Sequence, residues 1–155
     1  MELRLASRFG LEIRSAETAD APGLAELLQA AGLELSAAQA AARLERLRAQ
    51  RSTVLLAVEW GPPSGVVVLD TRQTLQAELP EARIGLLLVA PDARRRGIGR
   101  LLLKAAAQAA RNLGCGALHL AAPPAARDLV ALAHASGFED DGYDLSRPLR
   151  KRSLR

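Results

Sequence analysis

The chain has 155 residues, 49% of them apolar and 25% charged, which suits one globular domain with a single core. No apolar run approaches the roughly 18 residues that cross a bilayer, and the lone Cys115 excludes an internal disulfide or a cysteine metal cage. The net charge of +4 is a terminal feature: with Arg147, Arg150, Lys151, Arg152 and Arg155 set aside, 16 basic residues face 17 acidic ones, so the body is nearly neutral.

These balances argue against nucleic acid as a partner, because 3% aromatics leave no stacking surface for single strands. The opening residues also lack the apolar stretch and cleavage site of a secretion signal, so a cytoplasmic location and no membrane partner are expected. The organisation expected is one domain over residues 1–149, followed by a solvated basic tail, 150–155. Cys115 reads as a small buried hydrophobe at the start of a strand.

In chain order, residues 11–14 alternate as a short strand. Asp20 offers an N-cap, Pro22 sits in the first turn, and Leu24, Leu27 and Leu28 form the apolar stripe of a helix closed by Gly32. Ser36 caps a second, alanine-rich helix running to about Gln50, with Leu44 and Leu47 inward. Residues 52–59 and 66–69 read as strands, and the glycines and prolines of 61–65 make them a hairpin.

Residues 84–89 form a third strand in this run, nearly all apolar and so buried on both faces. The clearest helix is 98–113: Ile98, Leu101, Leu102, Ala105, Ala109 and Leu113 recur on one side, and Gly114 ends it. A strand at 117–122, a break at Pro123 and Pro124, a helix at 126–135 and a last strand at 143–149 complete the order β, α, α, β, β, β, α, β, α, β. That order implies a mixed α/β layer fold with helices packed on a sheet.

Chemistry concentrates between Val89 and Ile98. Gly97 and Gly99 allow close backbone approach and positive φ. Successive N–H groups entering a helix form an anion nest, and the helix start adds partial positive charge. Arg94, Arg95 and Arg96 add potential at the mouth. A Walker A loop is excluded, since no G-x-x-x-x-G-K-[ST] occurs. A dinucleotide fingerprint fits poorly, because Leu102 stands where a third small residue belongs and no acid ends the following strand.

The pattern Arg94-x-x-Gly97-x-Gly99 resembles the R/Q-x-x-G-x-G/A loop of the GNAT N-acetyltransferase superfamily. The setting resembles it too: Ile84-x-x-Leu87-x-Val89-x-Pro91 before the loop, Arg14-x-Ala16 and Asp20 near the start, Gly65 opening a strand, and Leu118-x-Leu120 through Gly137-Phe138 near the end. The resemblance spans roughly residues 11–149. It implies a mixed, mainly antiparallel sheet of six to seven strands flanked by about four helices.

It also implies a function, that of an acyl-CoA-dependent N-acyltransferase passing acetyl from acetyl-CoA to a primary amine by direct attack, without metal. Loop amides from Arg95 through Arg96, Gly97, Ile98 and Gly99 to Arg100 would hold the CoA pyrophosphate, with the Arg94 side chain ordering the loop or reaching phosphate. A bulged strand would lend the main chain of Leu87, Leu88 and Val89 to the pantetheine arm, and an N–H near Val89 would polarise the thioester carbonyl.

Three positions depart from the family pattern. Ala133 stands where many relatives have a tyrosine proton donor, Ala126 where many have asparagine, and Arg83 where many have glutamate. Glu81, His119 and Tyr143 are the candidates to replace the missing acid and base, with a solvated acid, a packed histidine and an ordinary strand residue as the plainer readings. His134 reads as exposed, and the acidic residues Glu139, Asp140, Asp141 and Asp144 as a solvated loop that can steer a cationic amine. A CoA-binding sensor or interaction module with little catalysis stays open as the alternative. The acceptor and the acyl length are not legible, and monomer and homodimer are both open.

Overall fold

The computed structural model describes residues 4–8, 10–122, 125–140, 142 and 147–149. Its six strands form one sheet in sequential order: β1 (Arg4–Arg8), β2 (Leu11–Ser15), β3 (Thr53–Val58), β4 (Gly65–Arg72), β5 (Glu81–Val89) and β6 (Ala117–Leu120). Every neighbouring pair is antiparallel except β5 with β6. The parallel step is the one that requires a crossover, and α3 (Ile98–Asn112) supplies it. The remaining helices are α1 (Ala21–Ala30), α2 (Ala37–Ala49) and α4 (Arg127–Ala135).

Alternation along the strands makes the sheet the middle of three layers. Leu55, Ala57, Val67, Leu69 and Ile84 bury against Ile98, Leu102, Leu103 and Ala106 of α3. Leu56 and Val66 point the other way, into Leu24, Leu28, Ala40 and Leu44 of α1 and α2. No polar or charged residue is buried in either layer among the described residues, so both interfaces are held by apolar burial and close packing.

The helices and five of the strands lie where their patterns put them, with differences at the ends. Ser36 caps α2 and exchanges hydrogen bonds with Gln39 in a capping box. β4 and β5 run three residues longer at their joined ends, where Asp70↔Arg83 and Arg72↔Glu81 pair. There, charged side chains on one face mask the alternation. β1 was not expected at all. Of the strand expected over 143–149, residues 143–146 lie outside the described residues and 147–149 form no strand; the tail 150–155 also lies outside.

Asp20 does not cap α1 with its side chain. Its carboxylate accepts two 2.7 Å hydrogen bonds from Arg14 and one from the Glu17 N–H, also 2.7 Å. This ties the end of β2 to the entry of α1. The Arg14 hydrogen bonds hold the Asp20 carboxyl below its usual range, against the opposing effect of burial. Such a pair stabilises the fold above the unfolded carboxyl pKa, and the contribution is lost as pH falls through the folded value. Asp20→Asn should therefore cost about 1–2 kcal/mol at pH 7, and urea melts should show the gap to wild type shrinking below about pH 4.

Candidate donor-binding notch and phosphate loop

β5 is paired differently along its two halves. Its first residues, Glu81 to Ile84, pair with Ala117 to Leu120 of β6, and the pairing stops there. On its other edge β5 stays paired with β4 as far as Val89. The register slips between Val68↔Leu86 and Leu69↔Ile84, which leaves Gly85 as an extra, bulged residue. The bulge resets the faces: Ile84 and Leu86, two apart, pack into opposite layers, while Leu87 and Val89 join the α3 layer and Leu88 the other.

The same register says where the main chain points. Ala90 N–H donates to the Ser64 carbonyl at 2.8 Å, so Ala90 and, two residues back, Leu88 form hydrogen-bonded pairs with the β4 side. Leu87 and Val89 between them turn N–H and C=O to the opposite edge, beyond the last residue of β6. Among the described residues no backbone group meets them there. An extended ligand with its own amides has a row of partners waiting in this notch.

The strand leads into a 3₁₀ turn, Pro91–Ala93, and then the loop before α3. Arg95 and Gly97 both take left-handed conformations, with φ of 65° and 78°, curling the chain so that successive amides converge. At Gly97 a Cβ would meet nothing within 4 Å, so conformation alone demands the glycine. The first intrahelical bond is Leu101 N–H to Gly97 O, and no side chain caps the helix. The amides of Ile98, Gly99 and Arg100 are therefore open to a ligand.

Gly99 is needed for space: a Cβ there would lie 2.9 Å from Leu132 Cδ2 and 3.6 Å from Val89 Cγ2. Its absence lets α3 close onto α4 and onto the end of β5. Gly65 is tighter still, with Leu102 Cδ1 at 2.8 Å and the Leu88 carbonyl oxygen at 2.9 Å from the same imagined atom.

The arginines divide by task. Arg96 is paired with Glu59, just past β3, and that contact holds its guanidinium above the usual range. Arg100 donates to the Ala135 carbonyl at 3.2 Å, joining α3 to the end of α4. Arg94 and Arg95 are exposed and make no ion pair among the described residues, which leaves their charge for an anion. The sequence singled out the arginine run but not Glu59, whose partner is far along the chain.

The candidate acid–base residues lie at the closed root of the notch. His119 is level with Arg83, and Glu81 is two residues before it. Leu118, Leu120, Ala82 and Ile84 face α3, so Glu81, Arg83 and His119 share the opposite face. His119 Nε2 lies 3.9 Å from Glu81 Oε2, and the Arg72 guanidinium 3.8 Å from the same oxygen. By strand rise, Glu81 is about 20 Å and Arg83 about 13 Å along β5 from Leu87. Tyr143 lies outside the described residues.

Other expected features take ordinary places. Ala133 is buried, and its carbonyl caps the turn into Phe138. His134 is half-exposed and 3.1 Å from Asp140. Cys115 packs partly buried on the α3 layer, and burial raises its thiol pKa, which disfavours the reactive thiolate. Among the described residues no cluster of ligands fit for a metal occurs, and no helix is long and apolar enough to cross a membrane.

A family model, the acetyltransferase (GNAT) family, matches residues 21–138. The chain belongs to this family. Solved GNAT-like structures cover nearly all of it. An acetyltransferase from Trypanosoma brucei superposes with a TM-score of 0.78 at 20% identity, covering 90% of this chain and 99% of its own. A putative acetyltransferase from Agrobacterium tumefaciens gives 0.76 at 27%, covering 87% and 99%. An aminoglycoside acetyltransferase from an uncultured soil metagenomic sample, in complex with sisomicin, gives 0.76 at 20%, covering 91% and 97%. No curated protein sequence matches significantly.

Two glycine substitutions separate space from conformation in this GNAT domain. Gly65→Ala forces Cβ against a backbone oxygen and should cost about 1–3 kcal/mol of stability. Gly97→Ala meets no atom and should cost about 1–2 kcal/mol, through its positive φ alone. Denaturant titrations check both.

Proposed function

We propose that this GNAT protein is an acyl-CoA-dependent N-acyltransferase that moves acetyl from acetyl-CoA to a primary amine by direct attack. The observation that carries the reading is the continuity of the open β5 edge at Leu87 and Val89 with the left-handed loop and uncapped start of α3. One end suits an amide-bearing arm and the other a pyrophosphate, in the order in which CoA presents them. Acetyl-CoA supplies an activated thioester.

Each part of the chain then has a task. The amides of Gly97 to Arg100 bind the pyrophosphate, with Arg94 and Arg95 adding positive potential. The main chain of Leu87, Leu88 and Val89 aligns the pantetheine arm, and the Val89 N–H meets the charge that develops on the thioester oxygen. The incoming amine must lose a proton to form the new C–N bond as the C–S bond breaks. That proton passes to water, because His119 and Glu81 lie about 13–20 Å along β5 from Leu87, beyond the reach of one bridging water. The sulfur leaves as thiolate and is protonated from solvent.

A CoA-binding protein with little turnover is the second reading, and Ala133 is the observation that favours it. That position is buried and carries no hydroxyl. Tight CoA binding with no free-thiol release across a broad amine and peptide screen would select this reading.

Acetyl-CoA at 100 times its Kd should stabilise the protein by about 2.7 kcal/mol, read as a rise in Tm, and Gly97→Trp should abolish the rise. An undiminished rise in that variant would sink the loop assignment.

A further inference from the structure

A cavity of about 270 Å³ lies between α1, α2, the segment joining them and the face of the sheet turned away from α3. Leu28 and Leu44 form its roof, Val54, Val66 and Val68 its floor, and Leu86 the end wall. Leu86 sits between the bulged Gly85 and Leu87, so the cavity abuts the strand whose free edge forms the notch. Every lining group is aliphatic except Glu34 and Arg43. Both of these are exposed and make no ion pair among the described residues, which puts them at the mouth.

We infer that this cavity takes the apolar body of the acceptor, a primary amine carrying an aliphatic or aromatic group of about six to ten carbons. A dry cavity of about 150 Å³ holds a benzene-sized ring, so this one has room for a ring with a short linker, or for a chain of similar bulk. The linker carries the amine past Leu86 toward the notch. Hydroxyl or ammonium groups placed inside would give up water without a partner, which disfavours aminosugars and polyamines. The two charges at the mouth, of opposite sign, sit where a polar substituent would emerge. A void of this size forfeits packing contacts unless something fills it. The inference rests on the acyltransferase reading and adds the class of acceptor.

The test is calorimetric titration of the full chain, with coenzyme A present, using 3-phenylpropylamine and n-hexylamine against spermidine and an aminoglycoside. The apolar amines should bind at least tenfold tighter. Leu47→Trp and Val68→Phe, which fill the cavity from α2 and from β4, should each weaken them tenfold or more while leaving the coenzyme A thermal shift unchanged. Two variants are used so that failure of one to fold leaves the other to decide. Apolar amines that bind no tighter than spermidine, or that ignore a folded cavity-filling variant, overturn the inference while the donor site stands. A protein whose Tm is indifferent to coenzyme A overturns the underlying reading instead, and titration of the amines alone then judges the cavity.

Discussion

A β-strand inside a sheet has to satisfy hydrogen-bonding groups on both edges, and among the described residues β5 satisfies only one along its second half. β6 ends where Leu120 meets Ile84, and among the described residues the outward main chain of Leu87 and Val89 has no partner strand. An exposed half-edge of this kind attracts any extended chain. Here it is short, and the loop and helix start at its far end restrict what fits to something anionic at one terminus. The site is thus made mostly of backbone, which gives it geometry that few side-chain changes can disturb.

The bulge at Gly85 lets one strand serve three surroundings at once. Were Gly85 paired in ordinary alternation instead of bulged, Leu86 would face α3 together with Ile84, and the alternation that follows would be inverted. With the bulge, Leu87 and Val89 anchor under α3 while Leu86 and Leu88 face the α1 and α2 layer. The main chain between them opens sideways. In the proposed reading, donor binding along the edge and acceptor binding on the α1 and α2 face meet at one stretch of strand packed under the α3 layer. Gly65 and Gly99 support this by removing the Cβ atoms that would push α3 off β4, β5 and α4.

The features legible in the sequence are those that need particular residue types in fixed order. The amphipathic run of α3, the Ser36–Gln39 box and the glycines of the loop each have a local signature. β1 was missed because Arg-Leu-Ala-Ser-Arg is short, polar at both ends and lies at the sheet edge, so no burial pattern marks it. The added lengths of β4 and β5 were missed because charged residues pair across them. Asp20 was read locally as a cap, yet a partner six residues back captures its carboxylate. The cavity left no signal, since leucine and valine look the same whether they fill a core or line a void.

The acid–base groups were the least legible part of the candidate site, for a chemical reason. Pyrophosphate and pantetheine recognition by main chain constrains conformation, whereas proton transfer asks only for a group of suitable basicity within reach, through water if necessary. Such groups can move from strand to strand without disturbing the fold, and Arg83, Ala126 and Ala133 are consistent with a move of that sort. The loss at Ala133 is also the easiest for a thioester to tolerate. A thiol with a pKa near 8.5 leaves as thiolate at neutral pH with much less need of a proton than an alkoxide has. In the proposed reaction, the missing hydroxyl withdraws assistance from the departing sulfur and leaves the attack governed by how well the notch and the proposed acceptor cavity bring amine and carbonyl together.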